Sequence, residues 1–142
     1  MIAFNRALRP FALFLIAACL SLPAWAQEKP ANALVSIYHI APGKQLDFLK
    51  WQAARDAIDR EAGVPATQWY AHMDGDSWDY VSIAPDIDEA TQDKLDELAK
   101  KRGLKTGPKA GLEFRSMVAS HTDTYTAGPM TSTQLVERLT AP

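Results

Sequence analysis

The chain of 142 residues carries 15 basic and 17 acidic side chains, a net charge of −2, and 47% of its residues are apolar. That balance, with no Lys/Arg tract anywhere, excludes a protein built to grip nucleic acid. A single cysteine, Cys19, excludes an internal disulfide framework.

Residues 1–26 read as an export signal. Arg6 and Arg9 supply a positive start, residues 11–22 are apolar, and Ala24-Trp25-Ala26 forms a small-residue cleavage pattern before Gln27. The apolar run is shorter than the roughly 20 residues a bilayer-spanning helix needs, so no stable membrane span is expected. The expected location is periplasmic or secreted after cleavage following Ala26. The alternative is a lipoprotein anchored at Cys19, since residues 16–19 resemble a lipobox; against it, Leu20 and Leu22 stay apolar where such a chain turns polar. Cleavage takes the 15 basic residues to 13, against 17 acidic, for a net charge of −4. The mature chain would hold no cysteine and therefore no thiolate metal site or Cys nucleophile. Residues 27–32 read as a polar leader, and residues 33–142 as one domain.

Residues 33–40 are β-rich and stop at Pro42-Gly43, which makes them the first strand. From Lys44 the period becomes helical, with Leu46, Leu49, Ala53 and Ala57 as the expected buried stripe, Ala54 and Ile58 beside it, and Gly63 as the left-handed stop. Residues 67–73 and 77–84 read as two short strands around Asp74-Gly75-Asp76, a hairpin. The next helix begins among Asp86, Asp88 and Glu89, ends among Lys100, Lys101 and Arg102, and stops at Gly103, so its charges match the helix dipole. Gly107-Pro108 punctuates, residues 111–119 read as a short third helix, and residues 121–126 as the last strand. Thr131 with Gln134 offers a capping box for a closing helix through Leu139. The order βαββαβ, with an extra helix before the last strand and a C-terminal helix, is an α+β ferredoxin-like arrangement: an antiparallel sheet with helices on one face.

Strand alternation separates two sets of side chains. Val35, Ile37, Trp69, Ala71, Met73, Val81 and Ile83 are apolar and are expected beneath the helices. Ser36, Tyr38, Tyr70, His72, Trp78, Tyr80 and Ser82 form the other set, joined by His121, Asp123 and Tyr125 if the last strand keeps phase. A three-residue turn pairs His72 with Trp78 and Tyr70 with Tyr80; a two-residue turn would exchange the faces, and the separation of polar from apolar favours the longer one. An aromatic face of that size marks an interface or a ligand site. With Pro42-Gly43-Lys44 opening the first helix, residues 75–80 (Gly-Asp-Ser-Trp-Asp-Tyr) and Gly128-Pro129 after the last strand, the chain resembles the dimeric α/β-barrel superfamily over residues 33–127. That resemblance implies two ferredoxin-like units paired sheet to sheet around a cavity. Members include polyketide cyclases, haem-degrading or quinol monooxygenases, and stress-responsive proteins of unknown role.

The expected function is an exported small-molecule-binding dimer with an aromatic and His-lined cavity. Two alternatives stand beside it: a cofactor-independent enzyme of the cyclase or monooxygenase type, and a structural dimer module without a ligand. The candidate acid/base groups are His72, His121, Asp123, Tyr38 and Tyr80, because His titrates near neutrality, Tyr can donate to an oxyanion, and Asp123 can orient His121. Ser36, Tyr70, Trp78, Ser82 and Tyr125 would line the cavity. The same groups would equally serve as hydrogen bonders across a dimer interface. In the resembling cyclases, cavity His and Tyr residues enolise a poly-keto substrate, a role that would fall here on His72 or His121. The Asn, Trp and His set of the haem monooxygenases finds no Asn to place in the cavity. His39 reads as structural, and Asp74, Asp76 and Asp79 as a polar turn, because they lack the order of a calcium loop. No cofactor or metal is expected. The expected partners are a second copy, through the open sheet faces, and a small apolar or aromatic ligand.

Overall fold

A computed structural model describes residues 32–141. The expected export signal, Cys19 and most of the expected polar leader lie outside the described residues. Among those described, no helix is long and apolar enough to cross a membrane.

The elements run β1 (Asn32–Ile40), α1 (Gln45–Ala62), β2 (Gln68–Ala71), β3 (Tyr80–Pro85), α2 (Glu89–Lys101), α3 (Gly107–Arg115), β4 (Val118–Ala127) and α4 (Ser132–Thr140). The sheet has the order β2-β3-β1-β4, and every neighbouring pair is antiparallel. The fold is ferredoxin-like, with α3 and α4 added to the βαββαβ frame.

Local chemistry sets most of the boundaries. Gly63 takes φ 80°, where its N–H reaches Arg60 O and the next N–H, of Val64, reaches Asp59 O. The Asp88 carboxylate accepts the Thr91 N–H at 2.8 Å and starts α2. Thr131 and Gln134 close a reciprocal capping box on α4. α3 begins four residues earlier than expected. Thr106 is the extended cap and Pro108 fits the first turn, so Gly107-Pro108 opens the helix and does not separate it from its neighbour.

Two expectations about faces are corrected. β2 and β3 pair Ala71 with Tyr80 and Tyr70 with Val81, one residue away from the expected register. The ladder continues through His72 N–H to Asp79 O at 2.9 Å, and Asp79 N–H reaches Tyr38 O at 2.8 Å. On β1 and β3 the faces are also exchanged: Ser36, Tyr38, Tyr80 and Ser82 point toward the helices, and Val35, Ile37, Val81 and Ile83 toward the open side. The physical cause is Phe48 of α1. Fully buried, it packs at ring-centroid distances of 5.1 Å from Tyr38, 5.9 Å from Tyr80 and 6.0 Å from Trp69. Rings of that size span the gap between layers, whereas the branched aliphatics suit a flat sheet face. His39 keeps phase with Val35 and Ile37 and so also leaves the helix side; its Nδ1 lies 3.2 Å from Ser77 O.

The second correction concerns α1. Its expected buried stripe faces outward: Leu46 is 62% and Leu49 39% exposed, with Ala53 and Ala57 exposed as well. The inward face carries Phe48, Trp51, Gln52, Arg55, Ile58 and Asp59.

The Asp79 carboxylate accepts the Ile40 N–H at 2.6 Å, beside the irregularity where β1–β4 pairing shifts. Asp79→Ala leaves that donor without its partner and is expected to cost about 1–3 kcal/mol. Urea denaturation checks it; Asp79→Asn should recover part of the loss.

Candidate functional site

Beside the buried Phe48 and Ile58, α1 half-buries four polar side chains, Gln52, Arg55, Asp56 and Asp59, and these border a cleft. Between α1 and α2 on one side and the sheet on the other lies a cavity of about 440 Å³, within the range of small-molecule pockets. β1 and β3 supply its floor through Leu34, Ser36, Tyr38, Ser82 and Ala84, and β2 adds Trp69. Gln52, Arg55, Asp56 and Asp59 of α1 form one wall, Asp96 of α2 another, and Lys105 and Thr106 the end before α3.

The floor is rich in hydroxyls. Ser36 and Ser82 are each 3% exposed, and the Tyr38 hydroxyl lies 3.4 Å from Ser82 Oγ. Trp69 stacks on Tyr38 at 5.7 Å and 26°, and its indole N–H is enclosed with no acceptor among the described residues. Leaving such a donor without a partner costs about 1–3 kcal/mol, an expense that a bound acceptor removes.

The α1 wall is braced from α3. Glu113 accepts from Trp51 Nε1 at 3.0 Å and from Lys105 Nζ at 3.1 Å. These hydrogen bonds, Lys105 first and then Trp51, pull its pKa below the ordinary glutamate value. Arg55 lies with its guanidinium carbon 3.3 Å from the Trp51 ring centroid and donates to Lys105 O at 3.1 Å. Burial lowers its pKa, opposed by Glu113, Asp96 and Asp59.

Asp56 and Asp59 have raised pKa values. For Asp56 the cause is desolvation, opposed by Arg60; for Asp59 it is desolvation first and then the charge of Asp56, opposed by Arg55. A raised folded-state value means that these two carboxyls favour folding when protonated. Their contribution falls as pH rises from the ordinary aspartate range through the folded-state values. The double variant Asp56→Asn/Asp59→Asn is therefore expected to melt higher than the parent at neutral pH, with the difference vanishing below the ordinary aspartate range. Melting curves across that range check it.

The ten residues singled out in the sequence do not share one cavity. Ser36, Tyr38 and Ser82 line the cleft. Tyr80 lies in the core against Phe48. His121 and Asp123 sit on the same sheet face, opposite Tyr38 and Ser36 in register, with His121 Nε2 3.4 Å from Asp123 Oδ2. The His121 ring packs edge-on against Phe114 at 5.0 Å, just beside the cleft. His72 is apart from all of these: it packs on Trp78 at 5.0 Å at the hairpin, and its Nε2 is enclosed without a partner among the described residues. The expectation that His72 and His121 converge is therefore corrected: the β2–β3 register puts His72 in phase with Tyr70 and Val81 on the open side, whereas His121 of β4 lies opposite Tyr38 on the helix side. Tyr70, 51% exposed, pairs with Val81 on the open side, and Tyr125 is 75% exposed on the edge strand β4.

Gln52, Arg55, Asp56, Asp59, Trp69 and Lys105 were not anticipated. The signal for the first four was present, since they recur at helical spacing opposite the leucine and alanine stripe. No group of three or more His, Cys, Asp or Glu side chains among the described residues is arranged to hold a metal.

No protein-family model matches the chain, and none of the curated proteins matches it. Among solved structures, the chain is similar to a dimeric protein of unknown function and ferredoxin-like fold from Bacteroides fragilis NCTC 9343. The identity is 14%, 68% of this chain and 95% of that one are covered, and the TM-score is 0.44. It is also similar to an uncharacterized NIPSNAP domain protein from Burkholderia xenovorans, at 15% identity over 71% of this chain and 96% of that one, with a TM-score of 0.43. The fold assignment itself rests on the strand order and pairing of this chain.

Proposed function

We propose that this is an exported, homodimeric small-molecule-binding protein whose ligand sits in the helix–sheet cleft of each protomer. The observation that carries the reading is the set of half-buried polar side chains on α1: Gln52, Arg55, Asp56 and Asp59 line a cleft whose floor holds hydroxyls and Trp69, with an indole N–H unpartnered among the described residues. Burying polar groups is unfavourable unless something hydrogen-bonds them, and a ligand would do so. The paired row Val35/Ile83 and Ile37/Val81 supports self-association through the open sheet face, since a monomer leaves these aliphatic side chains only half-buried.

Native mass spectrometry of protein purified from its own periplasm tests the ligand. The parent is expected to carry a small molecule, and Ser36→Leu, which projects into the cleft, is expected to arrive empty while remaining a dimer. A parent that is always empty, or a variant equally loaded, contradicts the reading. The same spectra report the mature terminus, expected at Gln27; a species beginning at lipid-modified Cys19 would replace the soluble exported form with an anchored one.

A second reading, an enzyme with acid/base chemistry, draws on the His121–Asp123 pair beside the cleft. His121→Ala is then expected to leave ligand retention intact and to abolish conversion of whatever ligand is identified. Unchanged turnover would restrict the pair to structure.

A further inference from the structure

The cleft has two chemically different ends, and they constrain what fits between them. Trp69 lines the floor, and its Nε1, a donor only, is enclosed and unpartnered among the described residues. Ser36, 3% exposed, lines the cleft and brings a hydroxyl that can donate. None of the floor groups carries a charge. The floor therefore suits an uncharged acceptor oxygen.

On the α1 wall the requirement is opposite. Asp56 and Asp59, one turn apart, feel the charges of Arg60 and Arg55 but make no hydrogen bond and no ion pair within 4.0 Å among the described residues, whereas the cleft's two cations are engaged: Arg55 with the Trp51 ring and the Lys105 carbonyl, Lys105 with Glu113. An anion entering there would meet two half-buried carboxyl groups. A cation would find them free.

We propose that the cleft takes a small organic monocation, an amine bearing a carbonyl group at its far end, with the carbonyl oxygen at Trp69 and Ser36 and the ammonium between Asp56 and Asp59. This rests on the cleft being the ligand site and adds the chemical class of its occupant. Amine and carbonyl are held by different layers of the fold, so each end contributes separately to recognition. Charge pairing on the α1 wall excludes phosphates and carboxylates. The donor floor excludes simple alkyl amines.

The test uses three matched probes on the mature protein: para-acetylbenzylamine, para-ethylbenzylamine and para-acetylbenzoate. The readout is the set of indole N–H signals of Trp51, Trp69 and Trp78, with the Trp69 signal assigned by its loss in Trp69→Phe. Para-acetylbenzylamine is expected to shift the Trp69 signal selectively and to bind at least about tenfold more tightly than para-acetylbenzoate, the factor that one charge-assisted hydrogen bond provides. Over para-ethylbenzylamine the expected factor is about two- to tenfold, that of one neutral hydrogen bond. Asp56→Asn/Asp59→Asn should erase the preference over para-acetylbenzoate, and Trp69→Phe should weaken the preference over para-ethylbenzylamine. Equal or tighter binding of para-acetylbenzoate or para-ethylbenzylamine in the cleft overturns the assignment of ligand class while leaving the cleft as a site. If none of the three moves any cleft resonance at millimolar concentration, both the class and the site are overturned.

Discussion

Phe48→Ala is expected to cost about 3–5 kcal/mol, the range for truncating a buried aromatic side chain. Phe48 is the most enclosed side chain of the described domain, at 0% exposed, and it touches the rings of Tyr38, Trp69, Tyr80 and Phe114. Removing it opens a void where the helix layer meets the sheet, and the surrounding rings cannot collapse into that void without losing their mutual contacts. A domain of this size has roughly 5–15 kcal/mol of stability, so the loss takes a large share. The melting temperature should fall by roughly 10–25 °C, and the conservative Phe48→Leu should fall much less. A drop of only a few degrees for Phe48→Ala would mean that the open sheet face, and not this layer, carries the core.

The second large effect is expected on association. Ile37 and Val81 face each other across β1 and β3 on the side away from the helices. The double change Ile37→Lys/Val81→Lys places two ammonium groups per protomer in a surface that the proposed dimer buries, and each meets its symmetry mates. Sedimentation at micromolar concentration is expected to give dimer for the parent and monomer for the variant. The helix-side core should remain folded, because neither side chain belongs to it. A parent that sediments as a stable monomer contradicts the sheet-to-sheet pairing outright. The outward stripe on α4, with Leu135 44%, Val136 60% and Leu139 84% exposed, shows that apolar surface on this chain is not confined to the sheet.

The parts of this fold legible in the sequence were those governed by local chemistry. Gly63, Asp88 and the Thr131/Gln134 pair mark helix ends through hydrogen bonds within a few residues, and no tertiary contact is needed to read them. The element order, and with it the ferredoxin-like frame, follows from the same punctuation. Which face turns inward is a long-range question. α1 carries two stripes at helical spacing, Leu46/Leu49/Ala53/Ala57 and Phe48/Trp51/Gln52/Arg55/Ile58. Hydropathy favours the first. The sheet takes the second, because Phe48 and Trp51 reach farther into the aromatic cluster and the polar residues between them face a cleft. The strands posed the same ambiguity: alternation separated Ser36 and Tyr38 from Val35 and Ile37, but not which set lies under the helices. A turn register one residue different then divided the candidate histidines, so that Tyr38, Ser36 and Ser82 were recognised as cavity residues for a cavity on the other side of the sheet.

Hydrogen–deuterium exchange of the protein with and without any ligand that co-purifies, or with para-acetylbenzylamine where none does, bears most directly on the cleft. Because the proposed site lies between layers, occupancy should slow exchange in the α1 segment 52–59 and in β1 and β3 around Ser36 and Ser82, and leave the β2–β3 hairpin around His72 and Trp78 unchanged. Protection confined to that hairpin, or no protection anywhere in a ligand-loaded protein, would contradict a ligand site between the helices and the sheet.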